Sequence, residues 1–204
     1  TYSFQRISSI TPTGQSFLRK FDQTTWRINA EYYIDDKKMI YGSVSTGFRS
    51  GGFNSGSFTN PLIPAFFTPE TVTAYEIGSK NTLADGKLRL NAAVYKNKFK
   101  DLQVQNQFLV TTVSGVTTTS AILNAARGHS QGLEVELQAV PVENLNLSVS
   151  GVLMDTNFDD YRNAPAPSRY TGVYDLTGNE IPYSPREKLT ASIGYDVQLG
   201  SSGR

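Results

Sequence analysis

The chain has 204 residues, of which 38% are hydrophobic and 18% charged, and its formal net charge is +1. Both fractions are low for a soluble globular domain, and a charge so near zero gives no global case for nucleic acid as a partner. There are no cysteines and one histidine, His129, which excludes a disulfide framework or thiolate metal site and leaves little material for a histidine cluster; no cofactor is expected.

No apolar run approaches the roughly 20 residues that a transmembrane helix needs. Transmembrane strands are another matter, because about 10 residues suffice and only alternate ones must be apolar. Residues 1 to 20 lack the basic start and apolar core of a signal peptide, and the chain starts inside patterned sequence. The natural N-terminus is therefore expected upstream.

Alternation of period two runs through the sequence. Trp26, Ile28, Ala30, Tyr32 and Ile34 alternate with polar neighbours and predict a strand over 24–34. Ile40, Gly42, Val44, Thr46 and Phe48 do the same over 39–49. A third strand is expected over 71–81, with Tyr75 and Ile77 on one face and Glu76 and Lys80 on the other. Leu88, Leu90, Ala92 and Val94 open a long strand over 87–106. Leu133, Val135, Leu137 and Ala139 mark 122–140, where Glu134 and Glu136 take the opposite parity. Leu145 to Leu153 mark 144–157, and Leu189, Ala191, Ile193 and Tyr195 mark 186–198. That makes seven strands, with an eighth allowed for over residues 1 to 8.

The connections alternate as well. Asp35–Lys38, Ala84–Gly86 and Pro141–Asn144 are short and turn-rich, whereas Ser50–Pro69, Gln107–Ser120 and Asp159–Ser184 are long and loop-like. Short links on one side and long ones on the other are the asymmetry of an outer-membrane barrel. A soluble β-sandwich also alternates. The length of the strands and the Asn, Ser, Glu and Gln on their polar face favour the barrel.

Four segments carry a family resemblance. YGSVSTGFRSGGFN (Tyr41 to Asn54) looks like a strand running into a Gly-rich loop. PETVTAYEIGSKNTLADGKLRLNAAVYKNKFKDLQV (Pro69 to Val104) looks like a hairpin with a proline-glutamate start and a tyrosine-glutamate-x-glycine-x-lysine core. GLEVELQAVPVENLNLSVSG (Gly132 to Gly151) has a glycine-leucine-glutamate strand and a proline turn. YSPREKLTASIGY (Tyr183 to Tyr195) has a serine-proline lead into a late strand. Each motif is weak alone. In this order, spread over about three quarters of the chain, they resemble the β-barrel of TonB-dependent receptors.

That resemblance implies an all-β antiparallel meander, part of a large barrel of about 22 strands. Residues 1–204 would be a partial barrel domain, lacking the plug domain, the TonB-contacting box and the last strand. It further implies an outer-membrane receptor for active uptake of a scarce nutrient, most naturally a ferric siderophore, and not an enzyme. The implied partners are outer-membrane lipid and lipopolysaccharide, the receptor's own plug, the TonB complex through the missing N-terminus, and an iron chelate. A passive channel or adhesin barrel without energy coupling stays open as the alternative, as does a soluble β-rich enzyme or lectin.

Candidate residues follow from parity and composition. Glu76, Lys80, Glu134 and Glu136 are expected on the concave, lumen-facing side as plug-docking or ion-pair groups. Paired glutamates also occur in acid–base catalysis, but no Gly-x-Ser-x-Gly or phosphate-loop motif accompanies them. Arg49, at the edge of a long loop, and Phe53, Phe66, Phe67, Arg162, Arg169 and Tyr170, within long loops, are the candidate ligand contacts. Aromatics with arginines there suit a flat anionic chelate. Lys96, Lys98 and Lys100 continue the parity of Val94 and so fall on the outward face. With a rise of about 2.5 Å per residue along the membrane normal, Lys96 stands roughly 22 Å above the Gly86 turn, near the top of an apolar band about 25 Å tall. The three lysines are candidate lipopolysaccharide contacts. His129 is expected to be a structural hydrogen-bonder.

Overall fold

Residues 2–10, 16–58, 63–112, 115–124, 127–162, 164–165 and 172–197 are described by a computed structural model. The chain folds almost entirely into strands. A first hairpin joins β1 (Tyr2–Ile10) and β2 (Ser16–Thr24). β3 (Arg27–Asp35) and β4 (Lys38–Arg49) follow, then the short pair β5 (Gly52–Phe53) and β6 (Phe66–Phe67). Next come β7 (Glu70–Leu83), β8 (Leu88–Lys100), β9 (Gln103–Thr112) and β10 (Gly115–Asn124). β11 (Arg127–Ala139), β12 (Leu145–Asp160), the short pair β13 (Ala164–Pro165) and β14 (Val173–Tyr174), and β15 (Glu187–Tyr195) complete the series.

Seven strands form one antiparallel sheet in the order β15-β12-β11-β8-β7-β4-β3, each paired with its neighbour in that sequence. This is the expected meander, left open at β3 and β15. The three short turns lie together at one end. At the second turn Ala84, Asp85 and Gly86 all take positive φ (51°, 52° and 91°), a left-handed run that lets the chain reverse in so few residues. Lys37 Nζ reaches Asp85 at 3.5 Å and ties the first turn to the second.

Three expectations need correction. The strand over 87–106 is not continuous. Asp101 adopts φ 54° and Leu102 turns into a buried cluster with Phe158, Tyr161 and Ala164, so β8 ends at Lys100. The segment Gln107–Ser120 is not a loop either: β9 and β10 pair over ten residues each as a separate hairpin. Its Thr and Val content favours extended backbone, although the threonines interrupt apolar alternation. The strand expected over 122–140 is accordingly divided between β10 and β11. The eighth strand allowed for over residues 1 to 8 forms as β1, which among the described residues pairs only with β2 and lies outside the seven-stranded sheet. Residue 198, the end of the last expected strand, lies outside the described residues.

Candidate functional site

Register fixes which side chains share a face, because a one-residue slip would exchange the two faces. Ile77, Val94, Leu133, Leu153 and Glu187 pair in succession across the sheet. The row beside them toward the short turns brings in Ala92, Val135 and Leu189. This face is apolar yet uncovered: Ile77 is 66% exposed and Leu189 76%. The other face carries Arg27, Glu31, Glu76, Lys80, Arg89, Glu134, Glu136 and Lys188.

Glu76, Lys80, Glu134 and Glu136 thus share one face. The Tyr41 hydroxyl donates to Glu76 Oε1 at 2.5 Å, and Lys80 Nζ stands 5.5 Å from the Tyr41 ring centre. Asn91 and Gln138 both donate to Glu136, at 3.2 and 2.9 Å. Lys80, Glu134 and Glu136 line a shallow depression of about 340 Å³ with Tyr41 and Asn91. Two tyrosines lie flat across glycines of the next strand on this face, Tyr41 over Gly78 and Tyr95 over Gly132. Such close approach requires a residue without Cβ.

Lys96, Lys98 and Lys100 fall on the apolar side, at the end with long connections. Lys96 donates to Gln131 Oε1 at 2.9 Å, and Lys98 Nζ lies 5.8 Å from the Tyr75 ring centre. Beside them His129 Nδ1 is 2.6 Å from Asp159 Oδ1, and Arg127 pairs with Asp160 at 3.2 Å. The outer row is therefore a mixed-charge rim and not a purely basic one.

Beyond the rim, three segments are joined by side-chain amides. Asn54 imitates a strand partner for Ile122: its Nδ2 donates to Ile122 O at 2.8 Å while Ile122 N donates to its Oδ1 at 2.9 Å. Asn124 does the same for Thr68, at 2.7 and 2.9 Å. Gln103 Nε2 donates to Ser50 O and Thr68 O, at 2.8 and 3.0 Å. Asn54 is 5% exposed, so its bonds to Ile122 are shielded from water, whereas the Asn124–Thr68 pair is exposed. Of the loop candidates, Phe53 and Phe66 face each other in the β5–β6 register, with Phe67 following. Arg49 ends β4 and Arg162 pairs with Asp160 at 3.3 Å. Arg169 and Tyr170 lie outside the described residues.

Sequence reasoning missed Asn54, Gln103 and Asn124, and it missed Phe17, Arg19 and Phe21 of β2, which pack on the same loop. Two groups here titrate away from their ordinary ranges. Burial pushes the Tyr161 phenol up, opposed by the Asn106 amide. The Thr177 hydroxyl and backbone N–H hold the Asp175 carboxyl below the usual carboxylate range.

An open antiparallel meander with one charged face and one exposed apolar face is a section of barrel wall, wet on one side and lipid-covered on the other. The family described as TonB dependent receptor-like, beta-barrel matches residues 2–203; the chain belongs to this family of transport receptors and lies in the bacterial outer membrane. The pesticin receptor of Yersinia pestis is 23% identical over 192 residues, covering 93% of this chain and 25% of that protein. A probable TonB-dependent siderophore receptor, PiuA of Acinetobacter baumannii, is 23% identical over 180 residues, covering 86% and 23%. The solved structure of PiuA superposes with a TM-score of 0.68 at 20% identity, over 97% of this chain and 27% of that one. The ferric yersiniabactin uptake receptor FyuA of Y. pestis gives 0.64 at 18%, over 98% and 27%. The chain thus spans about a quarter of the length of these relatives.

Proposed function

We propose that this chain is a partial barrel domain within a receptor for energy-coupled uptake of a scarce nutrient, a ferric siderophore first of all, and that it performs no catalysis. The single observation that carries this is the two-faced seven-stranded wall in a chain of the TonB-dependent receptor family. The siderophore assignment draws support from relatives described as siderophore or ferric yersiniabactin receptors. In this reading Glu76, Lys80, Glu134 and Glu136 face the lumen and dock the receptor's own plug. Glu134 supports that role, being exposed and without a hydrogen-bond donor among the described residues. Arg49, Phe53, Phe66, Phe67 and Arg162, with Arg169 and Tyr170, would meet the iron chelate outside the membrane. Lys96, Lys98 and Lys100 would meet lipopolysaccharide phosphate, and the TonB complex would act through the receptor's N-terminal region.

Growth of a strain deleted for the receptor tests the assignment on a panel of ferric chelates, cobalamin and glycans as limiting nutrients. Loss of growth on at least one ferric chelate, restored by the intact receptor, is the expected result. Normal growth on every chelate with loss on cobalamin or a glycan overturns the siderophore assignment.

A further inference from the structure

β2 is not an isolated flap. Its odd-numbered residues face the Ser50–Pro69 loop at three successive points. The Phe17 ring lies 6.3 Å from Phe53, the Arg19 guanidinium 3.5 Å from the centre of the Phe66 ring, and Phe21 packs so closely on Gly51 that a Cβ there would stand 2.6 Å from its ring. Alternate residues of one strand therefore register on a single surface. On its far side the same loop is held by Asn54, Gln103 and Asn124.

Arg19 is the unusual member of this set. A guanidinium stacked on a phenyl ring has its flat face occupied, but its N–H donors point outward in the plane. Arg19 is exposed, and among the described residues no carboxylate pairs with it. Asp22, the acid on the same strand, lies on the opposite face by alternation. The cation is held in one orientation by the ring, which lowers the ordering cost of a charge-assisted pair with an incoming anion.

We infer that Arg19, stacked on Phe66, is a recognition residue for an anionic oxygen ligand, and that the β1–β2 hairpin is thereby part of the external binding surface. This rests on the proposed role of the Ser50–Pro69 loop in ligand contact. The shared chemistry is a planar or tetrahedral oxyanion, supplied either by the chelating oxygens of a ferric complex or by a lipopolysaccharide phosphate.

The test uses the whole receptor that carries this chain, with Arg19, R19Q or R19K. The probes are an anionic ferric catecholate and a neutral ferric hydroxamate. R19Q should weaken the anionic complex about tenfold and leave the neutral one unchanged. R19K should fall between, since lysine keeps the charge but not the planar fork. Equal loss on both complexes overturns the assignment, as does loss on neither when Arg19 is also shielded from phenylglyoxal by neither phosphate nor lipopolysaccharide. A receptor that binds neither chelate overturns the siderophore assignment instead, and the anion site is then decided by inorganic phosphate. Phosphate should shield Arg19 from phenylglyoxal, read from the mass of the modified peptide; absence of shielding overturns the site. If Arg19 is already shielded before phosphate is added and stripping lipopolysaccharide exposes it, the oxyanion is lipopolysaccharide phosphate.

Discussion

Gly132 has no room for a side chain. A Cβ there would stand 2.3 Å from the Leu153 carbonyl oxygen and 2.9 Å from the Tyr95 hydroxyl. The first contact is backbone and cannot swing aside. Gly132→Ala should therefore destabilise the folded barrel by about 1–3 kcal/mol. Gly42→Ala, whose nearest neighbour is 3.9 Å away, should stay within about 0.5 kcal/mol. Urea midpoints of the two variants of the whole receptor in micelles measure the difference, and equal midpoints would refute it. Tyr161 gives a second prediction at this scale. Burial raises its phenol above the ordinary value, so the stability linked to its neutral form is fully present below about pH 10. It is lost as pH rises through the higher folded-state value. In an alkaline titration one phenolate that appears above the ordinary tyrosine range should vanish in Tyr161→Phe; an unchanged set of late phenolates would refute it.

Among elements, the β9–β10 hairpin is bridged to the loop before β7 by the amide of Asn54, supplied from outside the hairpin. Asn54→Ala would leave the Ile122 N–H and carbonyl without partners, at a cost of about 1–3 kcal/mol. Hydrogen exchange at the Ile122 amide should accelerate while exchange in β11 stays unchanged; matched rates in variant and parent would show that Asn54 is dispensable. The outward row of β8 makes a different prediction. Replacing Lys96, Lys98 and Lys100 together with glutamine should reduce co-purifying lipopolysaccharide and spare nutrient binding. Acids stand beside that row, at Asp155, Asp159 and Asp160, with Gln131 linking Lys96 to Asp155. The loss should therefore be partial. Unchanged co-purification would remove the lysines from that role.

For the whole molecule, the open edges at β3 and β15 decide what the chain can do by itself. Among the described residues neither edge has a strand partner, and N–H and C=O groups left unpaired along an edge are not tolerated in hydrocarbon. The apolar face is uncovered as well, with Ile193 74% exposed. Residues 1–204 refolded alone into micelles should aggregate or stay dynamic, whereas the whole receptor should show the heat-dependent gel shift of a closed barrel. A monomeric, heat-shifting product from residues 1–204 alone would contradict this.

The seven strands of the wall and the sorting of their side chains into two faces were legible in the sequence. Period-two alternation is local, and hydrocarbon on one side with water on the other imposes it directly, as at Leu88 to Val94. Residues 16–24 were not legible, because Phe17 and Leu18 stand side by side and Lys20 and Asp22 share the strand. Nor were β9 and β10, where Thr111, Thr112 and Thr117 to Thr119 blur the alternation and only the left-handed turn at Asp101 separates them from β8. The external surface was legible in composition alone. That Asn54 would bridge to Ile122, 68 residues away, or that Arg19 would lie on Phe66, depends on how separate hairpins lean together above the wall. Those contacts repeat with no period and are decided by packing and hydrogen-bond satisfaction between distant segments, which only the tertiary structure supplies.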